Sequence, residues 1–125
     1  MTSDFLVIGC GVAGLSFAIK AAAHGSVTVL TKNKVLNSNT AWAQGGISAV
    51  LPEGLCDEGD TIEKHIADTL DAGSGLCDEE VVRTIIEEAS DTIDELVGWG
   101  TKFDRSDDRF SLGKEGGHSA RRILH

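Results

Sequence analysis

The order of apolar and polar positions predicts two short strands around a helix at the N-terminal end of the chain. Residues 5–8 are continuously apolar, which is typical of a strand covered on both faces, as in a parallel sheet. Residues 12–24 are rich in alanine, carry apolar positions at helical spacing and are followed by Gly25. Residues 27–30 form a second, β-branched run. These segments predict a βαβ unit with a right-handed crossover.

A long polar loop is predicted in the middle of the chain. Residues 33–52 lack a helical period and are rich in Asn, Ser, Thr and Gly. Apolar side chains at Trp42, Ile47 and Val50 indicate that this loop is ordered. Trp42 is expected either in the core or as a wall beside a ligand, and the core is the favoured interpretation.

Two amphipathic helices are predicted in the second half of the chain. The first covers residues 60–72, with Asp60 as its N-cap and Glu63 as the acid of a capping box. His65 on this helix is expected to be solvated. The second helix covers residues 78–97 and has the stronger apolar stripe.

The remaining C-terminal residues add no obvious strand. Residues 101–117 are polar and turn-rich, and residues 118–125 predict the opening of a further helix. Two strands do not form a stable sheet on their own. Residues 1–125 are therefore expected to be the N-terminal part of a longer α/β protein.

Charge is distributed unevenly along the chain, whose net charge is −9. Residues 1–52 contain one acid, Asp4, and three lysines, whereas residues 53–125 contain 19 acids and 8 Lys or Arg. The excess of acid argues against binding of nucleic acids through their phosphate backbone. The acid-poor first half is either a largely buried layer or a surface that faces an anionic ligand.

Neither a membrane span nor a metal site is indicated. No segment approaches the roughly 20 apolar residues of a membrane helix, and no basic leader follows Met1. Cys10, Cys56 and Cys77 are odd in number and lack the spacing of metal ligands, so no disulfide framework is expected either. Cys10 is interpreted as a buried small residue. This usage of cysteine fits a reducing cytoplasm.

The first motif with chemical meaning is a glycine turn. Residues 9–14 read Gly-Cys-Gly-Val-Ala-Gly and fit G-x-G-x-x-G between a predicted strand and a predicted helix. The glycines allow a tight turn, close approach of a pyrophosphate and packing of helix on strand. Free N–H groups and the helix dipole then hold the anion. The motif predicts a dinucleotide site.

The acid that usually follows about 20 residues after such a motif is absent. Thr31 and Lys32 end the second predicted strand instead. Lys32 is either a solvated surface residue, a contact to the adenosine side of the ligand, or a selector of a 2′-phosphate as in NADP enzymes. The small residues and glycine pair of residues 38–47 allow a planar ligand such as a flavin ring to approach the backbone; a purely structural loop is the alternative.

Four segments together resemble one family. Residues 9–14, Thr31-Lys32, residues 38–50 and the Glu-Gly-Gly-His-Ser sequence at 115–119 resemble the N-terminal part of the L-aspartate oxidases, a branch of the succinate dehydrogenase and fumarate reductase flavoproteins. The resemblance covers essentially all 125 residues. It implies a Rossmann-like FAD-binding domain with a parallel sheet and flanking helices, of which residues 1–125 are the N-terminal portion. A capping domain and the rest of the protein are expected outside this chain.

The resemblance also implies which residues contact the cofactor. In this family the lysine at Lys32 belongs to the FAD site. Asn39 stands where membrane-complex succinate dehydrogenases carry a histidine bonded to the flavin, so FAD is expected to be held non-covalently. The residues expected to contact FAD are Gly9, Cys10, Gly11, Val12, Ala13, Gly14, Lys32, Asn39, Thr40, Ala41, Trp42, Ala43, Gln44, Gly45 and Gly46.

One substrate residue is implied within the chain. Glu115 is expected to be catalytic by orienting the substrate through its ammonium group, which favours aspartate over succinate. His118 is either a donor lining the site or a residue at a helix start. Arg121 and Arg122 either hold a substrate carboxylate or belong to the surface, and the surface is the favoured interpretation.

The activity implied by the resemblance is oxidation of L-aspartate to iminoaspartate. Electrons pass to oxygen, giving hydrogen peroxide, or to fumarate. The pathway implied is de novo NAD synthesis, with quinolinate synthase as the consumer of the imine. The family's catalytic arginine is expected beyond His125, so the chain alone is expected to be inactive. Alternatives are a soluble fumarate reductase or succinate dehydrogenase flavoprotein and a non-catalytic nucleotide-binding module.

Overall fold

The protein is described by a computed structural model that covers residues 2–125. Met1, and with it the expectation about a leader, lies outside the described residues. The chain divides into two compact units, Met1–Gln44 and Gly45–His125. Each unit has its own buried residues and is described separately.

The predicted βαβ unit is confirmed in the first compact unit. It consists of β1 (Phe5–Ile8), α1 (Val12–Ala21) and β2 (Val27–Leu30). The two strands pair in parallel, with Phe5 opposite Val27. Helix α1 ends earlier than predicted because residues after Ala21 form a turn, in which the His24 N–H donates to the Ala21 carbonyl at 2.9 Å.

Only one face of β1 is covered within the first unit. Val7 is buried, whereas Leu6 and Ile8 are 60% and 79% exposed. The expectation of a strand covered on both faces is therefore wrong for the described residues. Helix α1 covers one face, and the first unit contains no second layer for the other.

The predicted long loop contains regular structure. A 3-10 turn (Val35–Asn37), helix α2 (Asn39–Trp42) and strand β3 (Ile47–Ser48) replace it. Ser38 is the N-cap of α2, because its hydroxyl accepts a hydrogen bond from the Ala41 N–H at 3.1 Å. Elements of two to four residues are too short to show a period in the sequence.

The core position favoured for Trp42 is wrong. Its side chain is 73% exposed. The indole Nε1–H donates to the Leu36 carbonyl at 3.1 Å, which joins α2 to the preceding turn.

The second unit packs three helices and short strands. Helices α3 (Ile62–Gly73), α4 (Glu79–Glu87) and α5 (Ala89–Gly98) are followed by strands β4 (Arg105–Ser106), β5 (Arg109–Phe110) and β6 (Ile123–Leu124). Strands β3 and β6 pair antiparallel, as do β4 and β5. The buried core is formed by Ala49, Leu51, Ile93 and Leu124. None of the helices in residues 2–125 is long and apolar enough to cross a bilayer.

The N-cap of α3 lies one residue later than predicted. Thr61 is the N-cap, because its hydroxyl accepts from the Lys64 N–H at 3.2 Å. Asp60 is buried, and its carboxylate binds Arg122 instead. Glu63 forms no capping box; both its oxygens bind the Arg83 guanidinium.

The predicted helix over residues 78–97 is interrupted once. Glu88, with φ −83° and ψ −7°, ends α4 and begins α5. Ile86 before the break and Ile93 after it are both buried. Asp78 caps α4 by accepting from the Val81 N–H at 3.1 Å.

The helix predicted at residues 118–125 is wrong, as is the expectation of no strand after Val50. The chain there is extended and ends in β6, because its backbone is bonded to distant partners. The Ile123 N–H donates to the Gly113 carbonyl, and the Arg122 carbonyl accepts from Ala49. Long-range pairing of this kind overrides local helix propensity.

Candidate cofactor-binding site

The glycine turn after β1 has the geometry that its motif predicts. Gly9 has φ +113°, a conformation that residues with a side chain rarely adopt. A Cβ atom at Gly14 would collide with the carbonyl oxygen of Gly9. The third glycine therefore allows α1 to pack directly against the end of β1.

The N-terminus of α1 is suited to an anion. Its N-cap Gly11 has no side chain, and its first turn contains no acidic residue. First-turn N–H groups have no acceptor within a helix, and the helix dipole adds positive potential there. The Val12 N–H donates to the Thr40 hydroxyl at 3.1 Å, which brings the predicted loop to the glycine turn.

A cavity of about 650 Å³ opens beside this turn within the first unit. Its wall combines the end of β1, the end of β2 and the segment that leads into α2. The lining residues are Ile8, Gly9, Cys10, Gly11, Leu30, Thr31, Lys32, Asn33, Asn37, Ser38, Asn39 and Thr40. The volume is within the range of small-molecule sites. Three sequence segments that were assigned to one ligand thus meet at one cavity.

Cys10 is a buried free thiol, as predicted. Its sulfur lies 3.1 Å from the Thr31 hydroxyl, so the thiol joins the glycine turn to the end of β2. Cys56 and Cys77 are free thiols as well.

Nine residues predicted to contact the cofactor do not line this cavity. Seven of them lie in the first unit and two in the second: Val12, Ala13, Gly14, Ala41, Trp42, Ala43, Gln44, Gly45 and Gly46. A Cβ atom at Gly46 would collide with the carbonyl oxygen of Leu124 and with Ile123. The second glycine of that pair is thus required for packing on β6, and a cofactor contact at Gly46 stays a prediction.

Glu115 lies in an exposed turn of the second unit. Its carbonyl accepts a hydrogen bond from the His118 N–H at 3.3 Å, which closes the turn. The carboxylate is open to solvent and accessible to a ligand.

Among the candidate residues, Arg122 differs most from its expected position. The surface position favoured for it is wrong, because its side chain is fully buried. The guanidinium donates to Asp60 through Nε at 3.0 Å and Nη2 at 2.6 Å, and to Asp68 through Nη1 at 2.6 Å. Arg121, by contrast, is exposed as expected.

Asp68 connects this ion pair to the segment that follows the Glu115 turn. One carboxylate oxygen accepts from the Ser119 N–H at 2.7 Å and from the Ser119 hydroxyl at 2.8 Å. Burial alone would raise the pKa of Asp68, but the Ser119 and Arg122 donors outweigh burial and lower this pKa to about 2. The carboxylate is therefore charged at neutral pH.

His65 is buried, so the expectation of a solvated side chain is wrong. Its Nδ1 has no hydrogen-bond partner, and its ring centroid lies 5.5 Å from that of His118. Burial, followed by the charge of Arg122, lowers the pKa of His65 to about 4. The ring is therefore neutral at physiological pH.

Sequence patterns missed this cluster for a physical reason. Arg122 lies 62 residues after Asp60 and 54 residues after Asp68 in the sequence. In addition, a charged residue in a polar segment is usually solvated. The run of apolar residues directly after Arg122 is the one local signal of burial.

Comparison with known proteins identifies the family. The profile of the family described as "FAD binding domain" matches residues 4–125. L-aspartate oxidase of Vibrio cholerae is 48% identical over 128 residues, covering 98% of this chain and 23% of its own length. The chloroplastic L-aspartate oxidase of Oryza sativa is 48% identical over 123 residues, covering 98% of this chain and 18% of its own length. The chain thus spans about a fifth of the length of the curated relatives it matches.

Solved structures with the same fold agree with this result. Mycobacterium smegmatis Sdh1 superposes with a TM-score of 0.87 at 32% identity, over 100% of this chain and 21% of its own. The quinol fumarate reductase of E. coli superposes with a TM-score of 0.85 at 28% identity, over 99% of this chain and 21% of its own. The glycine turn and the acid-free start of α1 fit a dinucleotide, and the family profile specifies FAD: the chain belongs to the FAD-binding domain family of the succinate dehydrogenase and fumarate reductase flavoproteins.

Proposed function

We propose that the complete protein containing this chain is an FAD-dependent oxidase that converts L-aspartate to iminoaspartate. The observation that carries this proposal is the identity of 43–49% to proteins named L-aspartate oxidase, over 98% or more of the chain. The identity to the succinate dehydrogenase and fumarate reductase structures is lower, at 25–33%.

The first unit fits FAD by the chemistry of its cavity. Gly9 and Gly14 allow the tight turn that leads into α1, whose first turn contains no carboxylate. The pyrophosphate is proposed to bind at this helix N-terminus. Lys32, exposed at the cavity wall, supplies the one positive side chain among the lining residues and favours an anionic ligand.

The cofactor is proposed to be held non-covalently. Asn39 begins α2 and lines the cavity. An amide side chain has no nucleophilic nitrogen that could bond to a flavin, unlike the histidine that the covalent branch of this family carries at this position.

Glu115 is proposed to select the substrate. Its exposed carboxylate can form a charge-assisted hydrogen bond with the ammonium group of aspartate. Succinate lacks that group, so Glu115 adds affinity for aspartate alone.

Bound FAD supplies the two-electron acceptor for oxidation of the substrate, and the chain's own residues bind and orient both molecules. Oxygen or fumarate is proposed to take up the electrons, and quinolinate synthase is proposed to consume the imine during de novo NAD synthesis. The three free thiols support a reducing location, for which we propose the cytoplasm.

The test is aspartate-dependent formation of hydrogen peroxide by the complete FAD-loaded protein. Glu115→Gln is expected to lower kcat/KM for aspartate at least about tenfold, the effect of losing a charged hydrogen bond. Glu53→Gln, at another exposed acid, is the matched control and should leave it unchanged. Turnover of succinate without turnover of aspartate by the unaltered protein would refute the proposal.

A second candidate is a soluble fumarate reductase or succinate dehydrogenase flavoprotein. The TM-scores of 0.80 to 0.87 with members of that class support it. It predicts that Glu115→Gln leaves succinate oxidation unaffected and that aspartate is not a substrate.

A further inference from the structure

A polar cleft in the second unit lies beside the Glu115 turn. It has a volume of about 260 Å³, and its wall includes Ser48, His65, Asp68, Gly116, Gly117 and His118. The two glycines and His118 immediately follow Glu115 in the sequence. The cleft is therefore formed in part by the turn that is proposed to select the substrate.

The buried arginine fixes which nitrogen of His118 carries a proton. Arg122 Nη1 lies 3.3 Å from His118 Nδ1. A guanidinium has donors only, so Nδ1 must accept this hydrogen bond, and the proton of the ring is on Nε2. His118 is one of the residues that line the cleft, and because Nδ1 is taken up by the fully buried Arg122, Nε2–H is the donor that its ring has left for a ligand.

No acceptor in residues 2–125 pairs with this Nε2–H group. The N–H groups of Gly116 and Gly117 are likewise without an acceptor in the described part of the chain. A Cβ atom at Gly116 would meet nothing within 4 Å, and one at Gly117, whose φ is +83°, would make only an ordinary contact of 3.7 Å with Ala72 Cβ. Three consecutive residues with unpaired, uncharged donors thus line one cleft.

The charges around the cleft are compatible with an anion beside these donors. Asp68 is the acid in the wall, and three donors from Ser119 and Arg122 occupy one of its oxygens. Lys114, whose ammonium group donates to the Ser119 carbonyl at 2.8 Å, adds a positive charge next to the turn. Glu115 is exposed and is available for a cation.

We propose that His118 binds a carboxylate of the substrate through Nε2–H, with Arg122 as the positioning residue that holds the imidazole in this tautomer. The proposal rests on the proposed function and deepens it. Glu115 takes the ammonium group and His118 takes a carboxylate, so one turn recognises both charges of an amino acid. Unlike Glu115, His118 binds dicarboxylates with or without an amino group.

Two substitutions distinguish the roles of the two nitrogens of His118, the acceptor Nδ1 and the donor Nε2. In His118→Asn the amide oxygen stands in for Nδ1 and keeps an acceptor for Arg122, but the donor to the cleft is lost. In His118→Gln the longer side chain places its amide N–H near the position of Nε2, but the acceptor for Arg122 is lost.

The measurement is the Kd of succinate for the complete FAD-loaded protein, read from the change in flavin absorbance. The Asn variant is expected to raise this Kd about tenfold or more at an unchanged thermal midpoint. The Gln variant is expected to keep Kd within about threefold of the parent and to lower the thermal midpoint. An equal Kd for the two variants, or a larger rise for Gln, would overturn the proposal.

The outcome is distinguishable from failure of the proposed function. Glu115→Gln should weaken the binding of L-aspartate and leave the Kd of succinate unchanged. His118→Asn should weaken the binding of both ligands. A parent protein that binds succinate but does not oxidise L-aspartate would refute the proposed function alone. A parent protein that binds neither ligand would refute both.

Discussion

Arg122 is the residue on which the second unit depends most strongly. Its side chain is completely buried and bonded to two carboxylates, one of which, Asp60, is completely buried as well. Net stabilisation from a buried ion pair is small, because desolvation of the charges cancels most of the attraction. Removing one partner is costly, because the other charges remain buried without compensation.

Arg122→Met is therefore expected to destabilise the protein by about 3–5 kcal/mol. Arg121→Met provides the matched control one residue earlier, since Arg121 is exposed and uses only its backbone N–H, which donates to Asp57 at 2.9 Å. The control should change stability by no more than about 0.5 kcal/mol. Urea denaturation of both variants measures the difference, and equal midpoints would contradict the role assigned to Arg122.

His65 is expected to make the protein less stable at mildly acidic pH. Burial and then the positive charge of Arg122 outweigh the effect of Asp60 and Asp68, so the pKa of His65 falls from 6.5 in the unfolded chain to about 4. Between these values the unfolded chain binds the extra proton and the folded protein does not. Stability associated with His65 is thus complete above pH 6.5 and declines as the pH falls toward 4, with a slope of at most about 1.4 kcal/mol per pH unit.

His65→Leu should flatten this part of the curve of thermal midpoint against pH between 7 and 4. His24→Gln, at an exposed histidine, serves as the control and should follow the parent protein. Parallel curves for His65→Leu and the parent would show that the buried imidazole does not resist protonation.

At the scale of elements, the pairing of β3 with β6 depends on one glycine. Gly46 approaches the Leu124 backbone so closely that a Cβ atom would collide with its carbonyl oxygen. The neighbouring Gly45 has open space at the same position. The adjacent glycines therefore have different structural roles.

Gly46→Ala is expected to destabilise the protein by about 1–3 kcal/mol, the usual effect of overpacking. Gly45→Ala should be tolerated, with a change of no more than about 0.5 kcal/mol. Thermal denaturation of the two variants side by side tests this assignment. A larger loss of stability from Gly45→Ala would refute it.

Elements with many apolar positions could be predicted, and elements defined by distant partners could not. Residues 5–8 and 27–30 form the predicted strands, and α3 to α5 lie where the apolar stripes predicted helices. Strand β6 was predicted as a helix, because the carbonyl of Gly113 that bonds Ile123 is invisible in the local pattern. Local patterns report which face is apolar, and they do not report which chain segment will cover it.

The candidate site shows the same division. The glycine turn and Lys32 were found from local motifs, and both lie at one cavity. Arg122, His65 and Asp68 were misjudged or overlooked, because charged and imidazole side chains are normally solvated and only the folded chain brings these three together.

At the scale of the whole molecule, charge follows the division into two units. The first unit contains one acid and three lysines, whereas all other acids of the chain lie in the second. The cavity at which we propose that FAD binds therefore lies in the unit that repels anions least. Binding of FAD is therefore expected to protect the first unit from proteolysis more than the second.

Limited trypsin digestion of the complete protein, with and without added FAD, tests this division. Lys32 lines the cavity and Lys34 follows two residues later, so FAD is expected to slow cleavage at both sites several-fold. Arg105 and Arg109, on the exposed β4–β5 hairpin of the second unit, provide an internal control at which the rate should stay constant. Slower cleavage at the hairpin alone would place the cofactor outside the first unit, because a ligand protects the backbone that it covers. Equal protection at all four sites would instead indicate that FAD stabilises the protein globally, and would contradict the local protection expected at Lys32 and Lys34.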